Sequence, residues 1–175
     1  MKITVSEAVR SLEDRGLLKR HKADQSDLVI DRVRELLRRP LPQDLIDLYR
    51  EHVARIGDFS DIAPSWNDWV GWSNDVVSVT DLLHANAVPV FDDGCGNLFG
   101  LDLSSEGEAS AVYFFDHERE FDRPRYAAGS SLGAFLLLLG EEDQAYREGR
   151  PSGWQLAIDP DLDKCPRAPP PWQGG

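Results

Sequence analysis

Cysteine, cationic side chains and long apolar runs are all scarce in this chain of 175 residues, and each shortage removes a class of protein. Cys95 and Cys165 stand far apart with no C-x-x-C pairing, so neither a disulfide framework nor a zinc site is indicated. Only 19 Lys and Arg oppose 31 Asp and Glu, giving a net charge of −12 and a pI near 4.7. A nucleic-acid binder needs clustered cations facing phosphate, so this balance argues against one and favours a cationic partner. The longest apolar run, Phe135 to Leu139, falls far short of the roughly 20 residues that span a membrane. Met1 to Glu7 carry no apolar leader, and a cytoplasmic location is expected.

What is present is enough apolar mass, 41% of residues, for the core of one globular domain. No repeat of fixed period occurs. Ile30, Val33, Leu36 and Leu37 recur at helical spacing between a capping Ser26 or Asp27 and Pro40, which predicts a helix over 27–39. Pro42 at a first helical position, with Leu45, Leu48 and Tyr49 on one face, predicts a second helix to about Val53, closed by Gly57. Val9 and Leu12 predict a shorter one over Ser6 to Arg15. From Val88 the pattern turns to β: Pro89 to Phe91, Leu98 to Leu103 and Ala111 to Phe115 read as a three-stranded meander with turns at 92–97 and 104–110. Alternation places Asp102 on the face opposite Leu101 and Leu103, so its carboxylate is expected to meet solvent or a groove. A last helix is predicted from Ser131 to about Tyr146, capped by Ser130 or Ser131. The domain is expected to end near residue 160, and the Pro-rich segment 161–175 is expected to be an extended, mobile tail.

Several motifs suggest chemistry and lose to simpler readings. Gly129-Ser130-Ser131-Leu132-Gly133 fits the G-x-S-x-G nucleophile elbow, but that arrangement needs a His after the Ser. His21, His52, His84 and His117 all precede Ser131, so a helix cap is preferred. Asp159-Pro160-Asp161-Leu162-Asp163 imitates the start of a calcium loop, yet Lys164 and Pro170 occupy the positions that need Gly and Glu; an acidic surface turn is expected. Asp92, Asp93, Asp102, Asp116, His117 and Glu118 lack a fixed ligand spacing, and acidic recognition of a basic partner is preferred to metal binding. Gly94-Cys95-Gly96 is followed by no helix and flanked by aspartates that repel phosphate, so it is read as a turn. No cation lies beside Cys95 to lower its thiol pKa, which makes it structural. Trp66, Trp69 and Trp72 recur every three residues; they either close the core beneath a loop or line a groove, with the core favoured.

The run Val88-Pro89-Val90-Phe91-Asp92-Asp93-Gly94-Cys95-Gly96-Asn97-Leu98-Phe99-Gly100-Leu101-Asp102-Leu103, followed by Val112-Tyr113-Phe114-Phe115-Asp116-His117-Glu118, resembles the SUKH superfamily, which includes a yeast cell-wall-synthesis regulator and many bacterial immunity proteins. Leu41-Pro42 with Asp44, Leu48 and Tyr49, and Ser130 to Leu136, resemble the family's flanking helices, so that the resemblance runs from Leu28 to Leu139. Cys95 and Gly100 depart from it, where a Gly and a bulkier residue are common, and the Pro-rich tail lies outside it. The resemblance implies one α+β domain with a mixed, mostly antiparallel sheet flanked by helices. It also implies no catalysis and a bacterial role in neutralising a cognate toxin domain, with a general interaction or regulatory module as the alternative; no cofactor and no metal are expected. The acidic balance suits a basic toxin domain, possible nucleases included. The expected contact face comprises Asp92, Asp93, Asp102, Asp116 and Glu118, with Trp66, Trp69 and Trp72 as apolar anchors. Replacing Asp102 and Asp116 by Lys is then expected to weaken binding and leave the melting temperature nearly unchanged.

Overall fold

A computed structural model describes residues 2–20, 26–57, 60–61, 83–93, 95–104, 110–119, 121 and 123–173. Helix α1, Val5–Asp14, opens on a reciprocal cap: the Glu7 amide donates to Thr4 Oγ1 at 3.3 Å and the Thr4 amide donates to Glu7 Oε2 at 2.9 Å. Its Val5, Ala8, Val9 and Leu12 share one buried face. Helix α2 is Ser26–Leu37 and α3 is Gln43–Arg50, close to the predicted starts. The predicted end of α3 is overturned, since Val53–Ile56 forms a strand before Gly57, whose backbone is left-handed at φ 64°.

Among the described residues seven strands follow one another in chain order: β1 Leu18–Arg20, β2 Val53–Ile56, β3 Ser60–Asp61, β4 Ala87–Asp92, β5 Leu98–Asp102, β6 Val112–Phe115 and β7 Tyr126–Gly129. The predicted meander is β4 to β6, extended by β7. The sheet was expected to be mixed and mostly antiparallel; every pairing among the described residues is antiparallel. The last long helix, α4, is Leu132–Glu148; as predicted, Ser131 caps it, its hydroxyl accepting from the Ala134 amide at 3.2 Å.

Alternation along the strands decides what covers each face. Leu101, Leu103 and Val112 join α1, α2, α3 and α4 in one apolar cluster. Leu98, Tyr113, Phe115 and Ala127 point the other way, into a second cluster with Leu162, Ala168, Trp154 and Trp172. The chain after α4 is therefore the second cover of the sheet, which corrects the expectation of a mobile tail. Short 3-10 turns at Trp154–Ala157, Leu162–Lys164 and Pro171–Gln173 fold it back, and the Ala127 amide of β7 donates to the Pro169 carbonyl at 2.9 Å. Asp159 is also not a surface residue: it is 3% exposed and accepts hydrogen bonds from the Ser130 amide and hydroxyl, tying this cover to the β7–α4 junction.

Candidate functional site

Register puts the β4–β5 turn and the end of β6 at one edge of the sheet, because Asp92 pairs with Leu98 and Leu98 with Phe115. Asp93 organises that turn, accepting from the Cys95 amide at 2.8 Å, the Asn97 amide at 3.1 Å and Asn97 Nδ2 at 2.7 Å. Asn97 Oδ1 in turn accepts from the His117 amide at 3.1 Å and lies 2.8 Å from His117 Nδ1. Asp116 Oδ1 accepts from the Glu118 amide at 2.9 Å, starting the 3-10 turn His117–Arg119. One edge thus carries Asp93, Asp116 and Glu118 together, with Glu118 exposed. The same edge is mixed in sign, since Arg119, Arg123 and Arg125 are exposed just beyond it.

Asp102 does not belong to this group. It ends β5 at the opposite edge, paired with Ala87, and is only 3% exposed. Alternation assigned its face correctly, but that face is covered by the C-terminal segment rather than open to solvent. Arg167 Nη1 donates to Asp102 Oδ1 at 2.9 Å, and Ser104 donates to both carboxylate oxygens. The backbone of Asp92 ends β4, while its side chain, and all of Trp66, Trp69 and Trp72, lie outside the described residues.

Beside the acidic edge lies a cavity of about 90 Å³ that sequence reasoning missed. Tyr126, Phe135 and Glu142 line it from β7 and α4, and Trp154, Gln155 and Trp172 from the C-terminal cover. Desolvation, then the negative charges of Glu142 and Asp93, push the Tyr126 phenol well above its usual range. The protein around the Glu142 carboxyl also raises its pKa by desolvation, with Asp143 adding to the shift. The available signal was a pair of tryptophans, Trp172 in the segment read as a free tail and Trp154 shortly before it. Tryptophan left in water forfeits a large burial gain. Among the described residues no three His, Cys, Asp or Glu side chains are grouped to hold a metal ion, and no helix is long and apolar enough to cross a membrane.

An antiparallel sheet in chain order, helices on one face and an acidic turn edge define an α+β domain of the kind the β4–β6 motif resembles. Residues 25–138 match the SMI1 / KNR4 family (SUKH-1), more than half of the chain, and the protein belongs to that family. No curated protein and no solved structure matches the chain. The second cover of the sheet, from Gly149 onward, lies outside the family match.

Proposed function

We propose that this protein is a non-catalytic, cytoplasmic immunity-type protein that binds a cognate toxin domain of basic character and neutralises it. The observation that carries this reading is the gathering of Asp93, Asp116 and Glu118 at one sheet edge of a family member with a net charge of −12. A carboxylate-rich edge speeds and orients encounter with a basic surface, while the arginines beside it restrict which basic surface fits. Asp92 contributes by its place at the end of β4, and Trp66, Trp69 and Trp72 remain the proposed apolar anchors. Asp102 is no part of the face, because its charge is buried and paired.

The test is capture of the tagged protein's partner from its native cells, followed by coexpression of that partner with and without this chain. A toxin domain whose growth inhibition is relieved, with relief weakened when Asp116→Lys and Glu118→Lys are combined in a folded variant, is the expected result. Unchanged affinity of that variant at matched salt overturns the face. Recovery of housekeeping proteins alone, with no growth protection, overturns the immunity reading in favour of a regulatory interaction module.

A further inference from the structure

We propose that the cavity between α4, β7 and the C-terminal cover is a receptacle for one arginine side chain presented by a protein partner. The inference deepens the proposed function, on whose basic partner it rests, by naming the side chain recognised and a site walled partly by residues beyond the family match. Size is the first ground. A cavity of about 90 Å³ is well below the roughly 300–1,000 Å³ that encloses a drug-sized ligand, and suits a single side-chain head group.

Its chemistry is the second. Gln155, on the wall, has its Oε1 buried with no hydrogen-bond partner among the described residues. A buried acceptor in that condition lacks the compensation that native structures normally supply, and turning the Gln155 side chain toward a donor in the cavity would provide it. Glu142 is the charged member of the lining. Two other carboxylates of α4 are already paired, Glu141 with Arg15 at 2.5 Å and Arg150 at 2.9 Å, and Glu148 with Arg150 at 2.8 Å, while Asp143 adds its negative charge beside Glu142. Glu142 makes no hydrogen bond or ion pair with a described residue, and its raised pKa reflects an anion poorly solvated where it stands. A cation beside it would reverse that penalty.

The aromatic walls select among cations. Trp154, Trp172 and Tyr126 are all in the lining, and Arg150 already sets its guanidinium 5.5 Å from the centroid of Trp154, the kind of contact an aromatic wall gives a cation. A guanidinium stacks on such rings, keeps five donors in a plane and is more weakly hydrated than an ammonium, so arginine fits an aromatic slot with one acceptor and one carboxylate better than lysine does. The overall charge of −12 supplies attraction of the right sign at longer range.

The experiment is an NMR titration of the intact protein with the capped peptide acetyl-Gly-Arg-Gly-amide, following the indole N–H signals of Trp154 and Trp172. The expected result is saturable movement of both signals. Affinity should exceed that of the matching lysine peptide, and that of the uncharged citrulline peptide, by about tenfold or more. Glu142→Gln should weaken arginine binding by a similar factor, and Gln155→Leu should weaken it with the fold retained. No saturable movement, or equal binding of arginine and citrulline, overturns the proposal. Because the titration uses no toxin, its failure leaves the immunity reading standing, and failure to find a toxin leaves an observed arginine site standing.

Discussion

Arg167 donates through Nη1 to Asp102 Oδ1 at 2.9 Å across the second face of the sheet, while its Nη2 donates to the Ala85 carbonyl at 2.6 Å and its amide to Tyr113 Oη at 3.3 Å. One residue of the Pro-rich segment therefore locks β5, β6 and the approach to β4. The same burial pushes the Tyr113 phenol up to about 12. Removing one partner of such a pair leaves the other charge buried without compensation. Arg167→Ala is expected to lower unfolding free energy by about 3 kcal/mol, read as a shift in urea midpoint at unchanged slope. Asp102→Lys places two cations in contact there and should unfold the domain or lower its melting temperature sharply. The sequence alone had led to the opposite expectation for that substitution. A melting temperature unchanged in both variants would show that the segment does not depend on this pair.

Gly133 and Gly140 lie on α4 against the N-terminal segment and α1. A Cβ at Gly133 would sit 2.3 Å from the Ile3 carbonyl oxygen and 2.7 Å from that of Thr4, both backbone atoms. At Gly140 the obstacle is Leu12 Cδ2 at 2.2 Å, the end of a side chain that can turn away. Gly133→Ala should therefore destabilise by roughly 1–3 kcal/mol and Gly140→Ala by less, measured by chemical denaturation. The reverse order would mean that the N-terminal segment yields more easily than the core.

Tyr49 of α3 has its hydroxyl buried with no hydrogen-bond partner among the described residues, and desolvation pushes its pKa far up. Tyr49→Phe removes a polar group that gains nothing from folding. The variant should match or exceed the parent in stability, by up to about 1 kcal/mol. A loss larger than that would reveal a partner for the hydroxyl.

Glu142 makes a prediction about pH. Its folded pKa is raised by desolvation and by Asp143, so between the ordinary carboxylate range and that raised value the folded state holds more protons than the unfolded chain. Its contribution thus favours folding at low pH and declines as pH rises through that window. Glu142→Gln should melt above the parent at pH 7 and approach it near pH 4, as scanning calorimetry at both values would record. A constant difference at the two pH values would place the carboxyl in ordinary solvent.

Most of the helices and the central meander were legible because each rests on a local signal. Ser131 stands before an apolar run and caps it; Val9 and Leu12 mark one face of α1; turn residues separate β4, β5 and β6. β1 and β7 were not legible. Leu18-Lys19-Arg20 and Tyr126-Ala127-Ala128-Gly129 carry little strand signal of their own, and they are strands because β2 and β6 offer them a paired edge. The G-x-S-x-G run also has a tertiary explanation beyond its cap. A Cβ at Gly129 would meet Phe135 Cβ at 2.6 Å, as one at Gly133 meets the chain at Ile3, so close packing requires both glycines.

By itself the sequence determined the two-residue alternation that puts Leu101 and Leu103 on one face of β5 and Asp102 on the other, along with the acidic turn edge and the family to which they belong. It could not determine what lies over that second face. Periodicity reports the direction of a side chain relative to its neighbours, whereas burial depends on which distant segment arrives there. Trp154, Leu162, Ala168 and Trp172 are too sparse and too interrupted by proline to show any period. Only their docking in the tertiary structure turned a free tail into a wall, a solvent carboxylate into half of a buried ion pair, and two unremarked tryptophans into the sides of a cavity.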